Sequence, residues 1–173
     1  MSDSTDDGRH GARTLQELLR ELRQGYVLRQ PVLVELDVGA ADISASERTR
    51  SVRLPKVHEG DLPDELARCR SIVVGRARPA DAGAPITIGR ARTCDVVVDD
   101  ASVSKLHATI THDRDRDQYT LADEGSRNGT RVDGDPVEPA GRLLYAGAKL
   151  SFGDASFVFL DPATLRKLAR LAP

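Results

Sequence analysis

Tryptophan is absent from the 173 residues, and tyrosine and phenylalanine occur only three times each. Proteins that read single-stranded nucleic acid stack bases on aromatic rings, so this composition argues against a nucleic-acid partner. Cys69 and Cys94 are the only cysteines. Isolated from each other and from any Cys/His ligand spacing, they support neither a disulfide framework nor a zinc site, and they read as small buried residues. No apolar run approaches the ~18 residues of a membrane span, and the opening MSDSTDDGRHGAR has neither the basic start nor the apolar stretch of a signal peptide. The expectation is a cytoplasmic protein without a membrane partner. Catalytic signatures are missing too: there is no GxxxxGK[ST], HExxH or GxSxG, and His10, His58, His107 and His112 are scattered. The chain reads as a non-enzyme without cofactor or metal.

What is present divides into stretches of different character. Residues 1–13 are polar and rich in Asp and Gly, and read as a disordered tail. Residues 14–70 form an N-terminal extension. Thr14 opens a capping box with Glu17, and Leu15, Leu18, Leu19 and Leu22 recur at helical spacing up to Gly25, a C-cap residue. A helix of about three turns is too short to stand alone and must dock. Val32, Val34, Leu36 and Val38 then alternate as a strand, and SVRLPKV at 51–57 reads as a weaker one, with Pro55 pointing to an edge. Between these strands, GAADISASERTR reads as a polar loop.

Residues 71–160 are a series of short strands separated by turns such as Asp133-Gly134 and Gly153-Asp154. That pattern indicates a β-sandwich. Residues 161–173 begin with Asp161 as N-cap and Pro162 at the first helical position, and Leu165, Leu168 and Leu171 give this C-terminal helix an apolar face.

Within the sandwich segment lie IGR (Ile88 to Arg90), SKLH (Ser104 to His107) and SRNGT (Ser126 to Thr130). A phosphate on a peptide needs a fixed cation and directed donors. Arg90 can engage phosphate oxygens through two parallel N–H donors, which Lys cannot do. Ser104 offers a hydroxyl, and the Asn128 carboxamide can both donate to and accept from a peptide main chain. Arg92, Lys105, Arg127 and Arg131 crowd the same signatures although the chain carries a net charge of −2. Such a local positive site suits a defined anion. Asn128-Gly129 also favours a type I′ turn.

The order and spacing of these signatures resemble the forkhead-associated (FHA) domain, a mainly β sandwich with binding loops at one end. The resemblance implies a non-catalytic adaptor for phosphothreonine-containing proteins and an upstream serine/threonine kinase. It assigns Arg90 and Ser104 to the phosphate, Lys105 to the phosphate or the peptide main chain, and Asn128 to the peptide backbone. Gly89, His107 and Gly129 support the loops, with His107 bracing them from inside. Arg127 stands where family members often place Thr or Ser, so it either reinforces the phosphate charge or reads acidic residues downstream. The alternative is a phosphate-independent scaffold or dimerisation module on the same fold. Thr5 and Thr14, if phosphorylated, would let the domain bind its own N-terminal tail.

Overall fold

The computed structural model describes residues 13–36, 67–75 and 84–171. The expected strand at 51–57, the loop before it and residues 1–12 of the expected tail 1–13 lie outside these residues, whereas Arg13 belongs to a strand. Among the described residues the elements follow the order β1 (Arg13–Thr14), α1 (Leu15–Arg23), β2 (Val32–Leu36), β3 (Arg70–Val73), β4 (Ile86–Gly89), β5 (Val96–Val97), β6 (Ala108–Asp113), β7 (Gln118–Asp123), β8 (Thr130–Val132), β9 (Asp135–Pro136), β10 (Arg142–Leu144), β11 (Lys149–Phe152), β12 (Ala155–Leu160) and α2 (Pro162–Leu171). One sheet runs β1-β3-β2-β12-β11-β8-β9 and the other β10-β7-β6-β4-β5. Neighbours are antiparallel except β4 and β5. The fold is the expected mainly β sandwich with a short C-terminal helix.

Between the sheets, Ile88, Ile110, Leu121, Leu150, Phe152, Phe157 and Phe159 form the central core. A second core lies on the other side of the seven-stranded sheet, where Leu15, Leu18, Leu19, Leu165 and Leu168 meet Val32, Val34, Val158 and Leu160. In β12, Phe157 and Phe159 point into the first core, and Val158 and Leu160 into the second. In β2, Leu33 joins the sandwich interior, while Val32 and Val34 face the helices. A strand covered on both faces reads as a continuous apolar run, which explains why Leu33 interrupts the simple alternation expected for this strand.

Both helices carry their local signals. Thr14 Oγ1 accepts from the Glu17 N–H at 3.3 Å, and the Glu17 carboxylate accepts from the Thr14 N–H at 2.8 Å. At the other end Gly25 adopts φ +100°, and the Gly25 and Tyr26 N–H groups donate to the Leu22 and Glu21 carbonyls. That reverse pairing is a Schellman stop. Asp161 caps α2 by accepting from the Thr164 N–H at 2.6 Å.

Asp133 and Gly134 are both left-handed, at φ 54° and 91°, as a type I′ hairpin requires, and they join β8 to β9. Asn128-Gly129 is different. Gly129 alone has positive φ, and the segment carries the chain from β7 in one sheet to β8 in the other, so it is a crossing loop and not a type I′ hairpin. The two cysteines also differ: Cys94 is buried, whereas Cys69 is only partly so, and neither forms a disulfide.

Candidate functional site

At the end of β4 the chain turns against the segment that precedes β6. The Arg90 N–H donates to the Ser104 carbonyl at 2.9 Å, the Ala91 N–H to the Lys105 carbonyl at 3.0 Å, and the His107 N–H to the Ile88 carbonyl at 2.9 Å. Any Cβ at Gly89 would collide with the Lys105 backbone carbonyl. Glycine is needed at this position because a backbone passes where a side chain would start.

These backbone bonds fix the candidate side chains. Arg90 is exposed, and its Nε donates to the Val103 carbonyl at 3.2 Å, a bond that leaves the two terminal nitrogens of the guanidinium for a ligand. Ser104 Oγ accepts from the Arg127 N–H at 3.0 Å, so its hydroxyl proton is available to a ligand. Asn128 Nδ2 donates to the Ser102 carbonyl at 2.7 Å, which holds the carboxamide while its oxygen can accept from a peptide N–H. Lys105 and Arg127 are exposed. The structure thus brings the three signatures together: the loop after β4, the loop before β6 and the loop between β7 and β8 are bonded to one another.

His107 is the joint between two of them. It is fully buried, with its ring edge-on to Phe152 at 5.7 Å between centroids. Its Nδ1 accepts from the Ser104 N–H at 3.0 Å, and its Nε2 lies 3.2 Å from the Gly129 carbonyl. An acceptor at Nδ1 and a carbonyl at Nε2 require the neutral ring protonated on Nε2. Burial pushes the His107 pKa below its ordinary value, outweighing the Gly129 carbonyl and Asp123, which favour protonation.

Two supporting groups escaped the sequence reading. Asp123 bonds both the N–H and the hydroxyl of Ser126, at 2.9 and 2.6 Å, and the Thr130 hydroxyl; Ser126 Oγ in turn accepts from the Gly129 N–H at 3.0 Å. Burial works against ionisation of Asp123, yet the hydrogen bonds from Ser126 and Thr130 prevail and lower its pKa. On the facing loop, Asp100 bonds the N–H and hydroxyl of Ser102 at 2.7 and 2.6 Å, and Ser102 Oγ accepts from the Asp154 N–H at 2.9 Å. The Ser102 hydroxyl bonds lower the Asp100 pKa. Carboxylates two or three residues before a serine are the sequence signal for such side-chain turns. No cluster of ligands able to hold a metal occurs among the described residues.

Comparison with known proteins locates this arrangement. The model of the FHA domain matches residues 86–153, a span that contains every candidate residue. The oxoglutarate dehydrogenase inhibitor of Corynebacterium jeikeium is 37% identical over 73 residues, 42% of this chain and 48% of that protein. The glycogen accumulation regulator GarA of Mycobacterium tuberculosis is 35% identical over 72 residues, 42% of both. The matched region is therefore less than half the length of either relative. The crystal structure of the FHA domain of the CT664 protein from Chlamydia trachomatis shares the fold, with a TM-score of 0.50 and 22% identity over 76% of this chain and 97% of that one.

Proposed function

Because this chain carries an FHA domain over residues 86–153, we propose that it is a non-catalytic signalling adaptor that captures phosphothreonine-containing segments at the end of the sandwich where the three loops meet. The observation that carries this reading is that the exposed Arg90 guanidinium is held on the Val103 carbonyl and the Ser104 hydroxyl on the Arg127 N–H, in two loops bonded to each other before any ligand arrives. Preorganised donors lose little freedom on binding, and a phosphate monoester near neutral pH offers up to two charges and three strong acceptors. In this reading Arg90 and Ser104 hold the phosphate, with Lys105 adding charge, and Asn128 holds the peptide main chain. Arg127, whose own N–H is spent on Ser104, reaches the phosphate or acidic residues beyond it.

Burying the threonine methyl adds about 0.8 kcal/mol, so a strong preference over phosphoserine also requires the methyl to set the phosphate's orientation. The ligand chemistry implies a serine/threonine kinase upstream and a cytoplasmic setting; no helix among the described residues is long and apolar enough to cross a membrane. Phosphorylation of Thr5 would supply a tethered competitor at an effective concentration reaching about millimolar. Thr14 is a poorer candidate, since its hydroxyl already caps α1.

Calorimetry with one peptide in phosphothreonine, phosphoserine and unphosphorylated forms tests the proposal. The expected order of affinity is phosphothreonine, then phosphoserine, with the unphosphorylated form last. Equal binding of phosphorylated and unphosphorylated forms would replace it with the phosphate-independent scaffold reading. For the tail, phosphorylated chains with and without residues 1–13 are compared for external peptide affinity, and equal values exclude a Thr5 switch.

A further inference from the structure

The helical layer contains a second recessed surface, outside the residues matched by the FHA model. The C-terminal turn of α1, the segment after it and the outer half of α2 enclose a cleft of about 490 Å³. Leu22, Val27, Leu28 and Ala169 supply its apolar lining, and Val27 is 70% exposed. The polar part of the lining is Arg23, Arg166 and Arg170, with no carboxylate among the lining residues. In a chain of net charge −2, Arg166 and Arg170 beside an apolar recess with no carboxylate in its lining are a local reversal of charge.

Arg23 and Arg170 lie in the last turns of their helices, where a cation complements the helix dipole. That account does not extend to Arg166, which lies in the middle of α2. Arg166 and Arg170 are exposed, and neither takes part in the ion pairs found among the described residues. Guanidinium groups bind carboxylates through two parallel N–H donors, and an aliphatic recess takes an apolar side chain.

We propose that this cleft docks an acidic segment of a partner protein, with an aliphatic side chain seated against Val27 and Leu28 and flanking carboxylates paired with Arg166 and Arg170. This contact needs no phosphate and operates independently of the Arg90 loops. A partner carrying both a phosphothreonine and such a segment would engage both surfaces and gain avidity from the second.

Fluorescence anisotropy on the full chain tests this with a short labelled, unphosphorylated peptide in which paired leucines are flanked by glutamates. The peptide is expected to bind, to weaken about tenfold or more when Arg166→Gln and Arg170→Gln are combined, consistent with the loss of charged hydrogen bonds, and to be indifferent to Arg90→Ala. Val27→Asp, a change at an exposed position, is expected to weaken it without lowering the melting temperature, which separates binding from folding. Replacing the glutamates by glutamines should have the same effect as the arginine substitutions. Absence of binding, or equal affinity for the parent and the double variant, would overturn the proposal. So would tighter binding of phosphatidylserine vesicles or a single-stranded oligonucleotide than of the peptide. Tighter peptide binding by a chain lacking residues 1–12 would assign the cleft to the chain's own Asp3, Asp6 and Asp7 and equally reject an external partner.

Discussion

In the helical layer, α1 and α2 are held to the seven-stranded sheet by leucines packed against valines. At the loop end, Gly89, Ser102, Ser104, His107 and Asn128 are each held by a specific bond or close approach to a backbone group on another segment, and Asp123 by the hydroxyls of Ser126 and Thr130. The first construction is tolerant: an apolar residue of similar volume at Leu18 or Leu165 keeps most of the burial. At the loops a substitution removes one partner of a directed bond and leaves the other unsatisfied. A region held by burial can therefore vary in sequence and keep its shape, whereas a region held by directed bonds keeps its shape only with particular residues, which is why the loops carry short recognisable signatures and the helices carry only a period.

Truncating the helical layer should separate stability from binding most sharply. Leu18→Ala removes a fully buried side chain and should cost about 2–5 kcal/mol, measured by urea unfolding, while phosphopeptide affinity in the folded fraction stays unchanged. A large loss of affinity would mean that the two regions are coupled.

The reciprocal change is Arg90→Ala. It should remove about 1.5–3 kcal/mol of phosphopeptide binding for each charged hydrogen bond lost, with little change in melting temperature, since the side chain is exposed. Calorimetry and thermal unfolding on the same sample check both halves. Undiminished affinity would displace Arg90 from the site.

Gly89→Ala joins the two effects. Its Cβ meets a backbone carbonyl that cannot rotate aside, so the β4 end and the Lys105 segment must separate, at a cost of about 1–3 kcal/mol as for overpacking. Binding should fall with it, and a variant that melts and binds like the parent would show that the loop has room to shift.

Acid should act on the loop end by two routes. His107 has a depressed pKa in the fold, so the unfolded chain takes up its proton first. The stability contributed by the neutral ring is complete above the unfolded value of about 6.5 and declines as pH falls below it. Melting temperature should therefore drop between pH 7.5 and 5.5, and drop less in His107→Gln. Asp123 is depressed as well, so its contribution is present above about pH 3.9 and lost only in stronger acid. The ligand's second phosphate ionisation near pH 6 lowers affinity in the same range as His107 but leaves the melting of the free protein untouched, so the two measurements separate the causes. A melting temperature flat from pH 7.5 to 5.5 would remove His107 from the account.

The residues that identify chemistry were legible because their types are constrained locally. Arg90, Ser104 and Asn128 are polar groups in strand-end sequence, and the Thr14 and Asp161 caps act within three residues of themselves. Asp100, Ser102 and Asp123 were not legible as parts of the site. Their local spacing announces only a turn, and what makes Ser102 important is a bond to Asn128, 26 positions away. The Asn128-Gly129 pair shows the same limit from the other side: the dipeptide prefers a hairpin, but its flanking strands belong to different sheets, and the crossing overrides the preference.

From its sequence alone the chain determines a β-rich body, two capped amphipathic helices and a set of residues suited to a phosphate, because alternation, capping and donor type are properties of neighbouring residues. The tertiary structure decides that Val32 and Leu33 are both buried, since only the arrival of α1 and α2 gives the outer face of β2 something to pack against. It also decides that three separated loops form one rigid end, with a neutral, buried His107 between two of them. Both depend on which distant segments share a surface, and burial and directed bonds across such distances exist only once the sheets have closed over their core.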